Sequence, residues 1–263
     1  MELCNLTWKE AKEWAKKNPV VIVPTGSTEQ HGPHLPLKVD IASADHIARK
    51  VAEKTKMLVT PPLNFGYSEL WLHYPGTISF RQETYRAALY DICYSLIRGG
   101  FKKIFILNGH NPNLIHMQSV MYELVDKLED QKIQLGCGTY IFMAKEACDK
   151  IGDNFRDGTH ANEMETAISL ALFPECVKME EAKKVSRNYR MRKVINFDEG
   201  AIFVNRWPES KVYEGVYGNP GQGTVEKGKA YLEALIGKIS QIILDFGKGN
   251  YNPSTSDGRA QTF

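Results

Sequence analysis

The sequence lacks the features that mark membrane proteins and nucleic-acid-binding proteins. Its apolar runs are all far shorter than the roughly 18 residues that a membrane helix needs. The 33 basic residues nearly balance the 31 acidic residues, so no excess of positive charge favours nucleic acid or an anionic membrane. The composition therefore predicts neither a membrane nor a nucleic-acid partner.

Cysteine is scarce, and its spacing matches no framework of disulfides or zinc ligands. The chain has five cysteines, which is an odd number, and no Cys-x-x-Cys pair occurs. This usage argues for a reducing compartment. The first residues, MELCNLTWKEAKEWAKK, form an amphipathic polar pattern without the apolar core of a signal peptide. We therefore expect a soluble cytoplasmic protein.

The sequence does contain an alternation of short apolar runs and longer amphipathic segments. The apolar runs predict strands at Val20–Val23, Met57–Thr60, Lys103–Leu107 and Ile133–Tyr140. The amphipathic segments predict helices at Ile41–Lys54, Thr84–Arg98, Asn113–Leu128, Glu163–Leu172 and Glu226–Phe246. Such alternation predicts a three-layer α/β/α fold with a mostly parallel central sheet.

No repeat and no domain-separating linker interrupts this pattern, so we expect one domain over residues 1–263. A chain of this length, 43% hydrophobic, can bury a substantial core. The segment from Gly247 onward is polar and rich in Gly, Ser and Asn. We expect this tail to be mobile or to serve as an oligomer arm.

Three groups of ionisable side chains lie at the ends of predicted elements. The first is GSTEQHGPHLPLKVD, residues 26–40, which follows the first predicted strand. The second is NGHNPN, residues 108–113, directly after the KIFIL strand. The third is DGTHANEMET, residues 157–166, which runs into a predicted helix. Because ligands bind beyond the carboxyl ends of parallel strands, we expect these groups to meet.

The residue types in these groups suit a metal site. Glu29 and His31 are two residues apart, so in an extended segment both side chains point to the same side. Carboxylate oxygen and imidazole nitrogen are ligands for hard and borderline metals. Asp40 could bridge two cations by giving one oxygen to each. His110 lies in a glycine-containing turn, so we expect its side chain to face a site and not to pack in the core.

Each of these residues also has a simpler explanation when taken alone. A histidine after a strand is most often a turn residue, and Asp40 stands where a helix N-cap would be. Glu163 and Glu165 could be the acidic first turn of a helix. Their joint occurrence in a chain with only seven histidines favours a metal site.

These motifs resemble those of the creatininase (creatinine amidohydrolase) family. Residues 26–40 match its first motif throughout, and the later motifs follow in order as PGTIS at 75–79, NGH at 108–110 with Asn113, HANEMET at 160–166, GVYGNP at 215–220 and EKG at 226–228. The resemblance covers nearly the whole chain. It implies a creatininase-like α/β/α hydrolase with two divalent metal ions, which are zinc, manganese or iron, and a closed homo-oligomer, often a hexamer.

The resemblance also implies roles for particular residues. It places metal ligands at Glu29, His31, Asp40 and His110, with Asp40 as the bridge. Creatininase itself takes a fifth ligand two residues after the histidine of the NGH motif. That position is Pro112 here. Glu165 is the favoured replacement and Glu163 the second choice. In an ideal helix these two glutamates point to different faces, so only one of them should bind metal.

The remaining site predictions concern catalysis and substrate. His160 matches the proton-transfer histidine of the family, and Glu163 is the second candidate for a catalytic residue. Trp71 and His73 lie in a loop that could line the pocket. Asn111 stands where the family usually has glycine, as do Pro112 and Asn162. These departures put the identity of the substrate in doubt more than the chemistry.

Three functions compete at this point. The first is hydrolysis of a carbon–nitrogen bond in a small cyclic amide or formamide, with a hydroxide between two metals as nucleophile. The second keeps the metals but cleaves a carbon–carbon bond of a cyclic β-diketone from sugar or inositol catabolism. The third is a non-catalytic family member that serves as a binding or assembly partner. The intact set of predicted ligands argues against this third function.

Overall fold

A central parallel sheet organises the chain. The computed structural model describes residues 1–17, 19–128, 132–152, 160–185 and 214–249. Within these ranges the strands form one sheet with the order β2-β1-β3-β4, and every neighbouring pair is parallel. The strands are β1 Val20–Thr25, β2 Leu58–Val59, β3 Lys103–Asn108 and β4 Gln134–Thr139. With helices packed on both faces, the predicted three-layer fold is confirmed.

Five of the nine α-helices in the described residues follow the predicted segments with small shifts at their ends. The nine helices are α1 Trp8–Lys16, α2 Val39–Thr55, α3 Gln82–Arg98, α4 Leu114–Leu128, α5 Tyr140–Met143, α6 Lys145–Cys148, α7 Glu163–Leu172, α8 Met179–Val185 and α9 Val225–Lys248. Gly247 belongs to α9, so the expected polar tail begins later, and residues 250–263 lie outside the described part. None of the described helices has the length and apolar character needed to cross a membrane.

The apolar runs of the strands are buried because both faces of the sheet are covered. In β1, Val20 and Ile22 join a core with α2, α7 and α9, whereas Val21 and Val23 join a second core with α3 and α4. Successive side chains of a strand point to opposite faces. A continuous apolar run therefore suits a strand that is buried on both sides.

The register of β1 and β3 determines where the polar groups meet. Thr25, the last residue of β1, pairs with Asn108, the last residue of β3. The segments that follow these strands therefore leave the sheet side by side. Gly109 lies so close to the backbone of Asp40 that a Cβ built on it would overlap the Asp40 carbonyl. The absence of a side chain at Gly109 thus lets α2 begin next to the end of β3.

Candidate metal centre

Five ionisable side chains from four segments meet beyond the carboxyl ends of β1 and β3. They are Glu29, His31, Asp40, His110 and Glu165, and each is at most 3% exposed. The segment after β1 supplies the first two, α2 the third, the turn after β3 the fourth and α7 the fifth. The sequence predicted all five as metal ligands, and the structure brings all five together.

Asp40 lies at the centre of this cluster. Its Oδ1 is 3.0 Å from Nε2 of His31, and its Oδ2 is 2.9 Å from Nδ1 of His110. The hydroxyl of Ser27 donates a hydrogen bond of 2.8 Å to Oδ2. Asp40 is not the N-cap that its sequence position suggested, because α2 already begins at Val39. Its carboxylate therefore serves the cluster and not the end of the helix.

The ligand atoms fall into two groups that share Asp40. One group is His31, Asp40 and Glu165, and the other is Glu29, Asp40 and His110. Within each group the candidate ligand atoms lie within 4.8 Å of one another. The described residues contain one further combination, Glu29 with His31 and His160. The two groups that share Asp40 form the arrangement that the family resemblance implies for a bridging carboxylate.

Backbone carbonyls set which nitrogen of each imidazole faces the cluster. Nδ1 of His31 lies 3.1 Å from the carbonyl of Glu29, to which it can donate. Nε2 of His110 lies 2.9 Å from the carbonyl of Tyr67 in the same way. The remaining nitrogens, Nε2 of His31 and Nδ1 of His110, then face Asp40 and would offer their lone pairs to cations bound there. Such outer hydrogen bonds fix the tautomer of metal-binding histidines.

Glu29 provides the best test of whether the cluster fits metal ions. Both of its carboxylate oxygens are buried, and neither has a hydrogen-bond partner among the described residues. Its Oε1 is 3.3 Å from Nδ1 of His110. A buried carboxylate without hydrogen bonds is costly unless a cation neutralises it. The donor set of carboxylates and imidazoles fits zinc, manganese or iron.

The pKa values of the cluster residues also indicate that the buried carboxylates require nearby positive charge. Burial disfavours a charge on His31, but the carboxylates of Asp40 and Glu165 raise its pKa to about 10. Burial likewise opposes a charge on His110, whose pKa is held well above the usual value by Glu29 and Asp40. Burial raises the pKa of Glu165 to about 7, although the charge of His31 opposes this shift. Protons on the imidazoles thus balance the carboxylates in the chain alone, and divalent cations would take over that role.

The two glutamates of α7 have different neighbours. Glu165 lies with Oε2 3.9 Å from Nε2 of His31, and the same oxygen accepts a hydrogen bond from the backbone N–H of Ala161. Glu163 instead forms an ion pair of 2.6 Å with Nζ of Lys227 on α9, and it belongs to neither donor group. Asn162, which stands where the family usually has glycine, caps α7 by accepting from the N–H of Glu165 at 3.1 Å.

His160 lies at the edge of the cluster between two rings. The His31 ring is 4.4 Å away between centroids, and Trp71 stacks on His160 at 4.5 Å with an interplanar angle of 12°. Nδ1 of His160 is 3.7 Å from Oε1 of Glu29. Burial and the charge of His31 hold the pKa of His160 well below its usual value. A neutral imidazole therefore borders the donor groups, with one nitrogen facing them.

The three residues predicted to bind substrate differ in their burial and in their distance from the cluster. Trp71 is buried on His160, whereas His73 is exposed and packs on Tyr74 at 4.4 Å between ring centroids. Asn111 is exposed next to His110. The motifs did not single out Gln30, whose side-chain amide lies 2.8 Å from Nε2 of His160. Its place between two predicted ligands was a signal, but strand alternation suggested that its side chain would point away from them.

Several known proteins are similar to this chain in sequence and fold. A 3-dehydro-scyllo-inosose hydrolase of Thermotoga maritima is 28% identical over 91% of this chain and 81% of its own length. A creatinine amidohydrolase of Pseudomonas putida is 29% identical over 66% of this chain and 73% of its own length. The solved zinc–zinc form of a creatininase mutant superposes with a TM-score of 0.75 at 25% identity, covering 93% of this chain and 97% of the other.

The family comparison covers the described cluster completely. The Creatininase family model, described as creatinine amidohydrolase, matches residues 4–243, which include every residue of the two donor groups. The related proteins are hydrolases, and one of the solved structures is described as a zinc–zinc type of creatininase. The fold, the buried donor groups and this match over most of the chain lead to one conclusion, that the chain is a hydrolase of the creatininase family.

Proposed function

We propose that this hydrolase uses two divalent cations to cleave a carbon–nitrogen bond in a small cyclic amide or formamide. The observation that carries the proposal is the position of Asp40, which turns Oδ1 toward His31 and Oδ2 toward His110. A carboxylate in that position can hold two cations close together. The buried oxygens of Glu29, which accept no hydrogen bond from the described residues, supply the negative charge that such a pair requires.

Each donor group would hold one cation. Glu29, Asp40 and His110 would bind the first, and His31, Asp40 and Glu165 the second. Cations bound there would supply a water deprotonated near neutral pH and would polarise the carbonyl group of the substrate. The carbonyls of Glu29 and Tyr67 keep the two imidazoles in the tautomers that this binding needs.

His160 is the residue placed to exchange a proton with the leaving nitrogen. Its Nδ1 faces Glu29 and the donor groups, whereas its Nε2 faces Gln30. Trp71 covers one face of the ring and limits the access of water from that side. A positioned imidazole of this kind contributes typically 10²–10⁴-fold to the rate of a proton transfer.

A second bond type is supported by one comparison. The inosose hydrolase of Thermotoga maritima matches 91% of this chain, whereas the creatinine amidohydrolase of Pseudomonas putida matches 66%. Attack of water on a carbonyl carbon serves both reactions, and only the leaving group differs. The second candidate is therefore hydrolysis of a ring carbon–carbon bond in a cyclic β-diketone, with an enolate as the leaving group.

A mass-spectrometric screen for the gain of one water tests both candidates. The enzyme is loaded with zinc or with manganese and offered creatinine, other cyclic amides, formamides and cyclic β-diketones. A product from a nitrogen compound supports the first candidate, and a product from diketones alone supports the second. If no compound of either class gains water with any metal, the proposal is overturned.

The role of His160 is tested in the same assay. His160→Gln should retain the metal content of the wild type and lower turnover at least 100-fold, because the residue that exchanges the proton is lost while the metal-binding groups stay intact. His116→Gln, on α4, is the control and should keep full activity. Unchanged turnover in His160→Gln would remove His160 from the mechanism.

A further inference from the structure

Gln30 contacts the same nitrogen of His160 twice. Its side-chain Nε2 lies 2.8 Å from Nε2 of His160, and its backbone carbonyl lies 3.0 Å from that nitrogen. Gln30 is only 5% exposed and stands between Glu29 and His31 in the chain. One residue thus holds His160 with both a hydrogen-bond donor and a hydrogen-bond acceptor.

Two backbone groups fix the orientation of the Gln30 amide. The N–H of Gly32 donates to its Oε1 at 2.9 Å, and its Nε2 donates to the carbonyl of Gly215 at 3.3 Å. The backbone N–H of Gln30 donates to Oγ1 of Thr77 at 3.1 Å. Because Oε1 is occupied by Gly32, the amide must turn an N–H toward His160.

This arrangement gives Nε2 of His160 a partner in either neutral tautomer. Without a proton, Nε2 accepts from the side-chain amide of Gln30, and with a proton it donates to the Gln30 carbonyl. Proton transfer at Nδ1 uses the second tautomer, in which Nε2 keeps its proton while Nδ1 gains or loses one. Nδ1 faces Glu29, so the ring would not have to turn when the proton moves.

Different residues contact the faces and the edge of the His160 ring. Trp71 and His31 pack on the faces of His160, so they restrict tilting but leave rotation within the ring plane free. Contacts with Gln30 restrict that rotation. We propose that Gln30 is a positioning residue that keeps Nδ1 of His160 directed at the reacting bond. The proposal rests on the proposed function only in that His160 is taken to transfer a proton.

Gly215 offers a way to move the Gln30 amide without changing Gln30 itself. It adopts φ +74, and a Cβ built on it would overlap Oε1 of Gln30. Gly215→Ala should therefore displace the amide from His160. Gly249→Ala is the matched control, because Gly249 has φ +72 and no other described atom within 4 Å of its built Cβ. The control therefore measures only the backbone strain of an alanine at positive φ, without any displacement of a neighbouring side chain.

The first test uses NMR and needs no substrate. The full chain is loaded with zinc, labelled with 15N in its histidines, and the His160 signals are assigned with His160→Gln. In Gln30→Met, which keeps the side-chain length but has no amide, we expect the ring signals of His160 to shift while those of His31 and His110 stay. Gly215→Ala should shift the same signals, and Gly249→Ala should not. Unchanged His160 signals in both Gln30→Met and Gly215→Ala, with zinc retained, would overturn the proposal.

The second test uses the compound that the hydrolysis screen identifies. Gln30→Met should lower kcat on the order of 10- to 100-fold, with KM within about threefold of the wild type, because only orientation is lost. In the His160→Gln background the same substitution should have no further effect. An additive loss in the double variant would show that Gln30 acts independently of His160 and would refute the inference. Because the NMR test is separate, a failed screen would reject the proposed function without deciding the role of Gln30.

Discussion

At the scale of single residues, the first turn of α7 separates two glutamates that residue spacing alone does not assign to a role. Glu165 turns toward His31, and Glu163 turns toward Lys227. Residues two apart on a helix lie on different faces, so the choice between them depends on how the helix is rotated against its neighbours. That rotation depends on how the helix packs against its neighbours, and it cannot be predicted from the spacing of residues along the chain.

The metal content of two variants tests this separation. Glu165→Gln should lose about one of two bound cations, because one donor group loses its carboxylate. Glu163→Gln is the matched variant in the same turn and should keep both cations. Elemental analysis by mass spectrometry after dialysis against metal-free buffer measures the difference. Loss of metal in Glu163→Gln with retention in Glu165→Gln would reverse the assignment.

A second residue, His34, links the site to the pH dependence of stability. It is 1% exposed, and its Nε2 lies 3.0 Å from the hydroxyl of Thr166, which itself donates to the carbonyl of Asn162. Since that hydroxyl already donates, His34 must be the donor in their bond. Burial, with the charge of His31 adding to it, lowers the pKa of His34 to about 3.

The expected stability effect of His34 follows from the sign of this shift. Below the ordinary histidine pKa of about 6.5, the unfolded chain binds a proton that the folded chain excludes. Folding free energy is therefore lost as the pH falls, by about 2 kcal/mol between pH 7 and pH 5 for this residue. Glu165, whose pKa is raised to about 7, acts in the opposite direction in the same pH range, so the contribution of His34 is read from the difference between two proteins. Urea unfolding of the chelated protein at both pH values should show that acidification is less favourable to the wild type than to His34→Gln by about 2 kcal/mol. Equal changes in the two proteins would contradict the buried neutral state.

At the scale of elements, the order and type of strands and helices could be predicted, but several ends could not. The run Val20–Val23 predicted a strand, and β1 continues through Pro24 and Thr25 because their partners on β3 extend equally far. Met57–Thr60 was predicted as a strand, but only Leu58 and Val59 pair with β1. Such ends depend on the neighbouring strand, which a single segment does not reveal.

The candidate site was predictable to the extent that its ligands lie in short, dense motifs. The motif after β1 carried Glu29, His31 and Asp40, and the structure gathers all three. What could not be predicted was the set of backbone and amide partners, such as the carbonyl of Tyr67 or the side chain of Gln30. Those contacts arise from loops packed together, and their residues carry no distinctive chemistry of their own.

The ion pair between α7 and α9 gives a prediction at the element scale. Lys227 reaches Glu163 at 2.6 Å and also donates to the carbonyl of Gln222 at 3.2 Å. Lys227→Met should lower the free energy of unfolding by about 1 kcal/mol, because a mostly buried carboxylate loses its partner while water still reaches the lysine side. Chemical denaturation measures the change. Lys183→Met, which breaks an exposed pair with Glu180, is the control and should have a smaller effect.

At the scale of the whole molecule, the three buried carboxylates of the cluster, Glu29, Asp40 and Glu165, lead us to expect that bound cations stabilise the folded chain. Ligands that bind only the folded state stabilise it by about 2.7 kcal/mol at 100 times their dissociation constant. For a chain of this size we expect chelation to lower the melting temperature by roughly 5–10 °C. Asp40→Ala should show no response to chelator, since it lacks the shared ligand. A melting temperature that chelator leaves unchanged in metal-loaded wild type would count against the metal centre.

The hexamer implied by the family resemblance stays a prediction at this scale. The described surface includes exposed apolar side chains along α4, namely Ile115, Tyr122 and Val125. Light scattering on the purified chain will determine its mass in solution.

The distribution of the ligands along the chain has a consequence for biosynthesis. One donor group needs residues up to 110 and the other needs Glu165 on α7. Both α2, which carries Asp40, and α7 pack against α9 near the end of the described chain. Neither donor group is therefore fully supported before α9 has left the ribosome. Stable binding would then follow translation, and the metal ions available to the finished chain would decide which cations occupy the two positions.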